Sequence, residues 1–275
     1  MAISAEQLGR AVDELGLGGL PVLVHAALRS FGEPLDGGAD AVADALVGRG
    51  CTVLVPAFTE PHFGVAPPAE PSMRPARNGL DYARPWPREP LAAPDVYSPG
   101  CGLVNPRLGA FPAALLARPG VRRGGHPLNS FAALGPDAPA LVRDQSAEDV
   151  YAPLRALAEG NGWSLLIGVG LNRMTVLHLA EQQSGRRLFR RWARAEDGRT
   201  VQVEVGSCSE GFPRLEPLLA PRARTTTVGA ARWAAHPVRE TLASVVPALA
   251  ADQERTRCSA RCPACRDSIA GGPLG

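Results

Sequence analysis

The chain has 275 residues, 45% of them apolar, and a formal net charge of +2. That is enough length for one large core or two modest domains, and too little charge to argue for nucleic acid. All 29 basic residues are arginine, which excludes lysine Schiff-base chemistry and the P-loop lysine. No run of about 18 apolar residues marks a membrane span. The first residues lack the basic and apolar regions of a signal peptide, so a cytosolic location without a membrane partner is expected.

Along the chain, Glu6 to Leu15 reads as a helix and Leu20 to His25 as a short apolar strand. Gly38 to Val47 has helical spacing, with Asp36 or Gly37 as its cap. Cys51 to Pro56 is a second strand, which completes an early β-α-β unit. Residues 60–100 are rich in proline and poor in periodicity, and an ordered loop of that length is usually functional. It is read as a variable substrate-side loop. Arg107 to Arg118 returns to helix, Ser130 to Leu134 is a short strand, Val150 to Glu159 a helix and Trp163 to Val169 a strand. Thr200 to Val205 alternates like an exposed strand, and Pro237 to Leu249 carries one apolar helical stripe. The class is α/β, with the direction of the sheet left open by the pattern.

After the strand at Trp163, glycines and a short polar turn lead into a segment that carries Thr175, His178 and Glu181 at i, i+3 and i+6. Residues three apart share a helix face, so Thr175 and His178 point into one space just past a strand end, with Glu181 one step further. An imidazole there is a seat for proton chemistry; the alternative is a hydrogen-bonded core histidine. Thr175 reads equally as a helix cap. Arg186, Arg187, Arg190, Arg191 and Arg194 form a cluster, read as a solvated helix end in preference to a phosphate site.

Six cysteines are present. Cys51 opens an apolar strand and reads as a small core residue. Cys258, Cys262 and Cys265 form Cys-x3-Cys-x2-Cys, and thiols this close in a cytosolic chain suggest a metal more than disulfides. Zinc takes four ligands, so Cys208 is the candidate fourth and His236 the second choice. Such a site is structural and staples a cysteine-rich tail, residues 256–275, onto a body of residues 1–255. The alternative is three free or oxidised thiols in a loose tail.

Five collinear segments resemble the aminoglycoside 3-N-acetyltransferase family, the antibiotic N-acetyltransferases, over roughly residues 20 to 250. They are Val24-His-Ala-Ala-Leu-Arg-Ser-Phe-Gly32 with Gly37-Gly-Ala-Asp-Ala-Val42, Val53-Leu-Val-Pro-Ala-Phe-Thr59, Pro106-Arg-Leu-Gly-Ala-Phe-Pro112, Gly125-His-Pro-Leu-Asn-Ser-Phe-Ala-Ala-Leu-Gly-Pro136, and Leu165 through Glu181. The resemblance implies an α/β fold with a mixed sheet flanked by helices, distinct from the common acetyltransferase superfamily. It implies acetyl transfer from acetyl-coenzyme A to a small-molecule amine, with His178 as general base and Glu181, or a carboxylate from elsewhere, orienting it. Thr175 is then placed to donate to the thioester oxygen or leaving sulfur.

By the same resemblance Leu28, Arg29, Ser30 and Phe31 hold the coenzyme, with His126, Ser130 and Phe131 as a second cofactor-side element. The family usually has serine where this chain has Ala27. It often has an aspartate shortly after the Phe-Thr pair, where this chain offers Glu60 as the grip for a substrate ammonium. The rest of that loop is near neutral: Glu70, Asp81, Glu89 and Asp95 are offset by Arg74, Arg77, Arg84 and Arg88. This leaves a less cationic amine from natural-product biosynthesis as a rival acceptor. A zinc-stapled binding module without turnover is the rival of another class.

Overall fold

In a computed structural model of the chain the described residues are 2–66, 96–186, 188–194 and 197–270. The loop charges from Glu70 to Asp95 and Arg187 lie outside them. Ten strands are found among the described residues: β1 (Pro21–Ala26), β2 (Thr52–Pro56), β3 (Gly64–Val65), β4 (Arg122–Arg123), β5 (Phe131–Leu134), β6 (Trp163–Ile167), β7 (Phe189–Arg194), β8 (Thr200–Val205), β9 (Arg224–Val228) and β10 (Ala231–Pro237). Seven form one sheet in the order β4-β5-β2-β1-β6-β10-β9. Its centre, β2-β1-β6, is parallel, with Val22 level with Val53 and Trp163. Both flanks are antiparallel, so the sheet is mixed.

The central strands are mostly apolar because both of their faces are covered, with His25, Thr52 and Ser164 the polar exceptions. Side chains alternate across a strand, so Val22, Val24, Val53, Val55, Leu165 and Ile167 meet the helices Ala5–Glu14 and Asp40–Val47. Leu23, Leu54 and Leu166 face the other way, into helices Ala152–Glu159, Val176–Gln183 and Val238–Ala251. Each such side chain removed from water contributes about 1.5–3 kcal/mol. The early β-α-β unit is present, although helix Asp40–Val47 starts from Ala39 with no side-chain cap from Asp36 or Gly37. Arg107 to Arg118 is not one helix: a turn at Pro106–Leu108 stops at Gly109, whose φ of 87° suits glycine, before helix Ala110–Leu116.

The arginine cluster is corrected more deeply. It is not a solvated helix end, since Arg190, Arg191 and Arg194 lie on β7, paired with β8 and β3 in a second sheet. Phe189 and Ala193 bury against Val203 and Val205, and the unbroken antiparallel pairing of Phe189 to Arg194 with β8 makes the segment a strand. Arg190 meets Gln202 and Glu204 across the pair. Among the described residues no helix is long and apolar enough to cross a membrane.

Two buried histidines tie stability to pH. His126 ties the turn at 126–129 to β8, and His236 lies on β10 opposite Ser164. Burial pushes each pKa down to about 4, with backbone hydrogen bonds opposing at His126 and Arg232 assisting at His236. Both rings stay neutral in the fold while the unfolded chain protonates them below about 6.5. The unfolded state then binds more protons, so stability is complete above about 6.5 and falls as the pH drops towards 4. The loss is up to about 1.4 kcal/mol per pH unit for each ring. Thermal melts at pH 7, 6 and 5 check this; an unchanged melting temperature would refute it.

Candidate active site

In open α/β sheets, ligands bind where parallel strands end at their carboxyl side. Here β1 ends at His25 and Ala26, β2 at Pro56, and β6 leads through Gly168 to a turn ending at Thr175. Gly168 takes a φ of 62°, and a Cβ there would stand 1.7 Å from Ser30 Oγ, so only glycine lets the two strand ends approach. A cleft of about 240 Å³ opens at this edge. His25, Pro56, Phe58 and Glu60 line one side, Thr175 and His178 another. Gly206, Ser207, Ser209 and Phe212, from the loop after β8, close it.

His178 sits on helix Val176–Gln183, whose residues Val176 to Glu181 are all buried. His178 Nδ1 is 2.9 Å from Glu181 Oε2. A carboxylate only accepts, so Nδ1 is the donor in this bond, and Nε2 is the ring nitrogen it leaves uncommitted. Nε2 faces Gly206, where a Cβ would stand 3.3 Å from it and 2.7 Å from the Tyr151 hydroxyl. Phe212 meets the imidazole edge-on, with centroids 4.7 Å apart, and the Tyr151 ring lies parallel to it. Glu181 is itself held: its Oε1 accepts from the Thr256 hydroxyl at 2.8 Å and pairs with the Arg186 guanidinium. Arg186 also donates to Thr256 at 2.9 Å and to the Gln253 carbonyl. A buried carboxylate is tolerable on these terms, because its charge is matched and its oxygens are bonded.

Thr175 is the residue that precedes this helix, yet its hydroxyl makes no capping bond. It stands 3.4 Å from His25 Nε2 and lines the cleft with His178. Burial, and then the nearby Arg173 guanidinium, push the His25 pKa well down, so that ring is neutral. Glu60 opens a helical turn, accepts from Asn105 at 3.2 Å, and is the one carboxylate among the described lining residues. Burial raises its pKa, opposed by the Asn105 hydrogen bond. Arg173 and Arg191 also line the cleft.

The other residues singled out from the sequence are spread around this edge. Leu28 to Phe31 form a turn just past β1. Leu28 and Phe31 face the core, Phe31 edge-on to Trp233; Ser30 Oγ donates to Ala27 at 2.6 Å, and Arg29 is exposed. His126 has both ring nitrogens engaged, Nε2 with the Glu204 carbonyl and Nδ1 accepting from Leu128 and Asn129. Ser130 is enclosed between Ala57 and Arg123. Phe131 backs the cleft through its edge-on contact with Phe58. None of these seven side chains lines the cleft, though each lies in the elements that frame it.

Sequence reasoning missed His25, Asn129 and Tyr151. All three line the cleft, and neither Asn129 Oδ1 nor the Tyr151 hydroxyl has a hydrogen-bond partner among the described residues. Their only sequence signal is adjacency to motifs: Asn129 sits inside the His126 segment, and His25 heads the first one.

The four cysteines come together. The sulfurs of Cys208, Cys258, Cys262 and Cys265 all lie within 4.8 Å of one another. Cys258 Sγ is 3.7 Å from Cys208 Sγ and 3.6 Å from Cys265 Sγ. His236, the second choice, is not in this group; it is fixed on β10 inside the large sheet.

A family model described as aminoglycoside 3-N-acetyltransferase matches residues 23–250. Among curated proteins, the chain is 35% identical over 175 residues to aminoglycoside N(3)-acetyltransferase III of Serratia marcescens, covering 60% of each. It is 29% identical over 223 residues to aminoglycoside N(3)-acetyltransferase VIII of Streptomyces fradiae, covering 72% of this chain and 73% of that protein. The matches to the Serratia protein and to N(3)-acetyltransferase VII of Streptomyces paromomycinus each span 60% of those relatives' length. Among solved structures, the apoenzyme of aminoglycoside acetyltransferase AAC(3)-IVa shares the fold at a TM-score of 0.75, with 24% identity and 98% of both chains covered. A binary complex of AAC-IIIb with CoASH matches at a TM-score of 0.72 and 25% identity, covering 90% of this chain and 97% of that one. With a model match across most of its length, the chain belongs to the aminoglycoside 3-N-acetyltransferase family.

Proposed function

We propose that this chain transfers the acetyl group of acetyl-coenzyme A directly to an amine of an aminoglycoside, with His178 as general base. The observation that carries the reading is an imidazole whose Nδ1 is held by a buried carboxylate and whose Nε2 faces a cleft at the ends of parallel strands. An alkylammonium is no nucleophile until it loses a proton. Nε2 accepts that proton, and the freed lone pair attacks the thioester carbon. The carbon–sulfur bond then breaks, the thiolate leaves with the proton from the imidazolium, and the nitrogen sheds its second proton to solvent, giving an amide, a free thiol and one released proton. Glu181 stabilises the transient imidazolium, while Arg186 keeps the carboxylate charge matched before and after. The Thr175 hydroxyl is the donor for the developing negative charge on oxygen or sulfur. Arg29 and the backbone of Leu28 to Phe31, with the element around His126, Ser130 and Phe131, are assigned to the coenzyme side. The CoASH complex of AAC-IIIb supports the choice of acyl donor. We also read the cysteine cluster as a structural zinc site that joins the tail, residues 256–275, to the catalytic body. Sulfurs 2.3 Å from a tetrahedral zinc stand about 3.8 Å apart, close to the spacing here.

Glu60 is the acceptor's ammonium grip. Glu60→Gln is expected to raise KM for a polycationic acceptor by roughly 10- to 100-fold, the loss of one charge-assisted hydrogen bond, with little change in KM for acetyl-coenzyme A. Steady-state kinetics with each substrate varied decide it, and equal KM values before and after would reject the assignment.

The second reading keeps the chemistry and changes the acceptor to a non-aminoglycoside amine of biosynthesis. It is favoured by the charges among the described lining residues, one carboxylate beside two arginines, which suit a polycation poorly. A thiol-release assay across aminoglycosides and simpler natural-product amines separates the two. Release with aminoglycosides supports the first reading; release only with the simpler amines supports the second. The His178–Glu181 pair at the cleft favours turnover over the binding-module alternative.

A further inference from the structure

We propose that the cysteine tail is a metal-held clamp on the active site, which fixes both the cleft wall 206–212 and the carboxylate that orients His178. The inference rests on the zinc and general-base readings above and adds a functional link between them. Two independent contacts carry it.

The first is the cleft wall. Cys208 lies between Ser207 and Ser209, both of which line the cleft, and the three other sulfurs come from the tail. Ser207 Oγ donates to the Ala264 carbonyl on the tail helix Pro263–Ala270 at 3.2 Å. At Gly211 the tail comes so close that a Cβ would stand 1.8 Å from the Thr256 carbonyl oxygen. One residue on, Phe212 touches the His178 ring. A metal joining Cys208 to Cys258, Cys262 and Cys265 thus cross-links this wall to the tail.

The second contact is the carboxylate. Thr256, two residues before Cys258, donates to Glu181 Oε1, and Glu181 Oε2 holds His178 Nδ1. Gln253, just upstream, ties the Arg186 guanidinium and the Ser184 carbonyl to the same segment. Releasing the tail therefore removes a hydroxyl donor and a restraint on Arg186 at once. Glu181 is left with fewer fixed partners, and the imidazole loses its orientation. Outer partners of this kind typically change activity by 10- to 100-fold.

The test uses full-length wild type, Cys262→Ser, and Thr256→Val, each purified with a thiol reductant. Three quantities are read: zinc per chain; kcat and KM with whichever acceptor releases thiol; and the downfield proton signal of His178 Nδ1 by NMR. Circular dichroism checks the fold of each sample. Wild type is expected to carry one zinc, and Cys262→Ser almost none. Chelated wild type, Cys262→Ser and Thr256→Val should each lose about tenfold or more in kcat with KM for acetyl-coenzyme A nearly constant. Added zinc should restore chelated wild type but not Cys262→Ser. Thr256→Val should keep its zinc and still lose the sharp His178 signal, which separates clamping from mere folding. A folded, zinc-free protein with full kcat and an unchanged His178 signal overturns the clamp and leaves the zinc reading standing. Four freely titrating thiols and no metal overturn the zinc reading and the clamp with it. If no acceptor is turned over, the NMR signal still decides: loss on chelation supports the clamp, and persistence ends it, while only the general-base reading is refuted by the missing activity.

Discussion

His178→Ala should cut kcat roughly 100- to 10,000-fold, the span of a positioned general base, and leave the Kd for acetyl-coenzyme A nearly intact. The asymmetry follows from position. The ring is 9% exposed, its Nδ1 is tied to Glu181, and the coenzyme-side residues assigned above lie on other elements. Truncation removes the proton acceptor without disturbing those elements. It also leaves Glu181 in place, still matched by Arg186 and Thr256, so the variant should remain folded. His178→Gln keeps much of the volume and a polar group but offers no comparable base, and its kcat should fall almost as far. Thiol-release kinetics with calorimetric titration of the coenzyme measure both quantities. A variant with near-normal kcat would remove His178 from the chemistry and shift attention to His25 across the cleft, whose neutral ring touches Thr175.

Much of this site is readable from local spacing, because its key pairs are close in sequence. His178 and Glu181 are three residues apart on one helix, and a period of 3.6 brings them together wherever that helix lies. The three central strands are readable for a related reason: a strand covered on both faces is apolar at nearly every position, and the runs from Pro21, Thr52 and Trp163 are, with His25, Thr52 and Ser164 as the exceptions. The cysteine cluster is half local, with three sulfurs within eight residues; the choice of Cys208 over His236 followed from its loop position and matches the geometry.

What the pattern hides is long-range or depends on burial. Arg186 looks like one of five surface cations, yet it is 7% exposed and faces Glu181, Thr256 and Gln253. Nothing in a run of arginines distinguishes the one that enters the core, because its partner Thr256 is 70 residues away. Strand β7 is missed for the same cause: three of its six residues are arginines, and Arg190 finds its partners Gln202 and Glu204 only across β8. The hairpin β9–β10, by contrast, carries a legible signal that went unread. Thr225-Thr-Thr-Val228 is a β-branched run, followed by a two-residue turn with Gly229 at a φ of 56°. Beyond the place of Asn129 inside the His126 segment, Asn129 and Tyr151 have no signature, because an unpaired polar atom becomes visible only once its surroundings are built.

Arg186→Met is expected to destabilise the fold by about 3–5 kcal/mol, a large share of the total for one domain. The side chains of Arg186 and Glu181 are 5% and 4% exposed, so removing the guanidinium leaves a carboxylate with little water to replace it. The Thr256 hydroxyl and the His178 N–H remain, but two neutral donors do not match a full charge. The variant also loses the ties to Gln253 that hold the tail, so its activity should fall with its stability. A second substitution separates charge from volume. In Arg186→Met/Glu181→Leu neither charge is buried, and stability should recover well beyond the sum of the single effects, because the two sites are in contact. Activity should not recover, since His178 then has no carboxylate to fix its Nδ1 proton. Urea unfolding with a two-state fit gives the stabilities, and thiol release gives the rates. A loss under about 1 kcal/mol in Arg186→Met would mean that Glu181 reaches water in solution, and the orienting role assigned to it would then have to be given up.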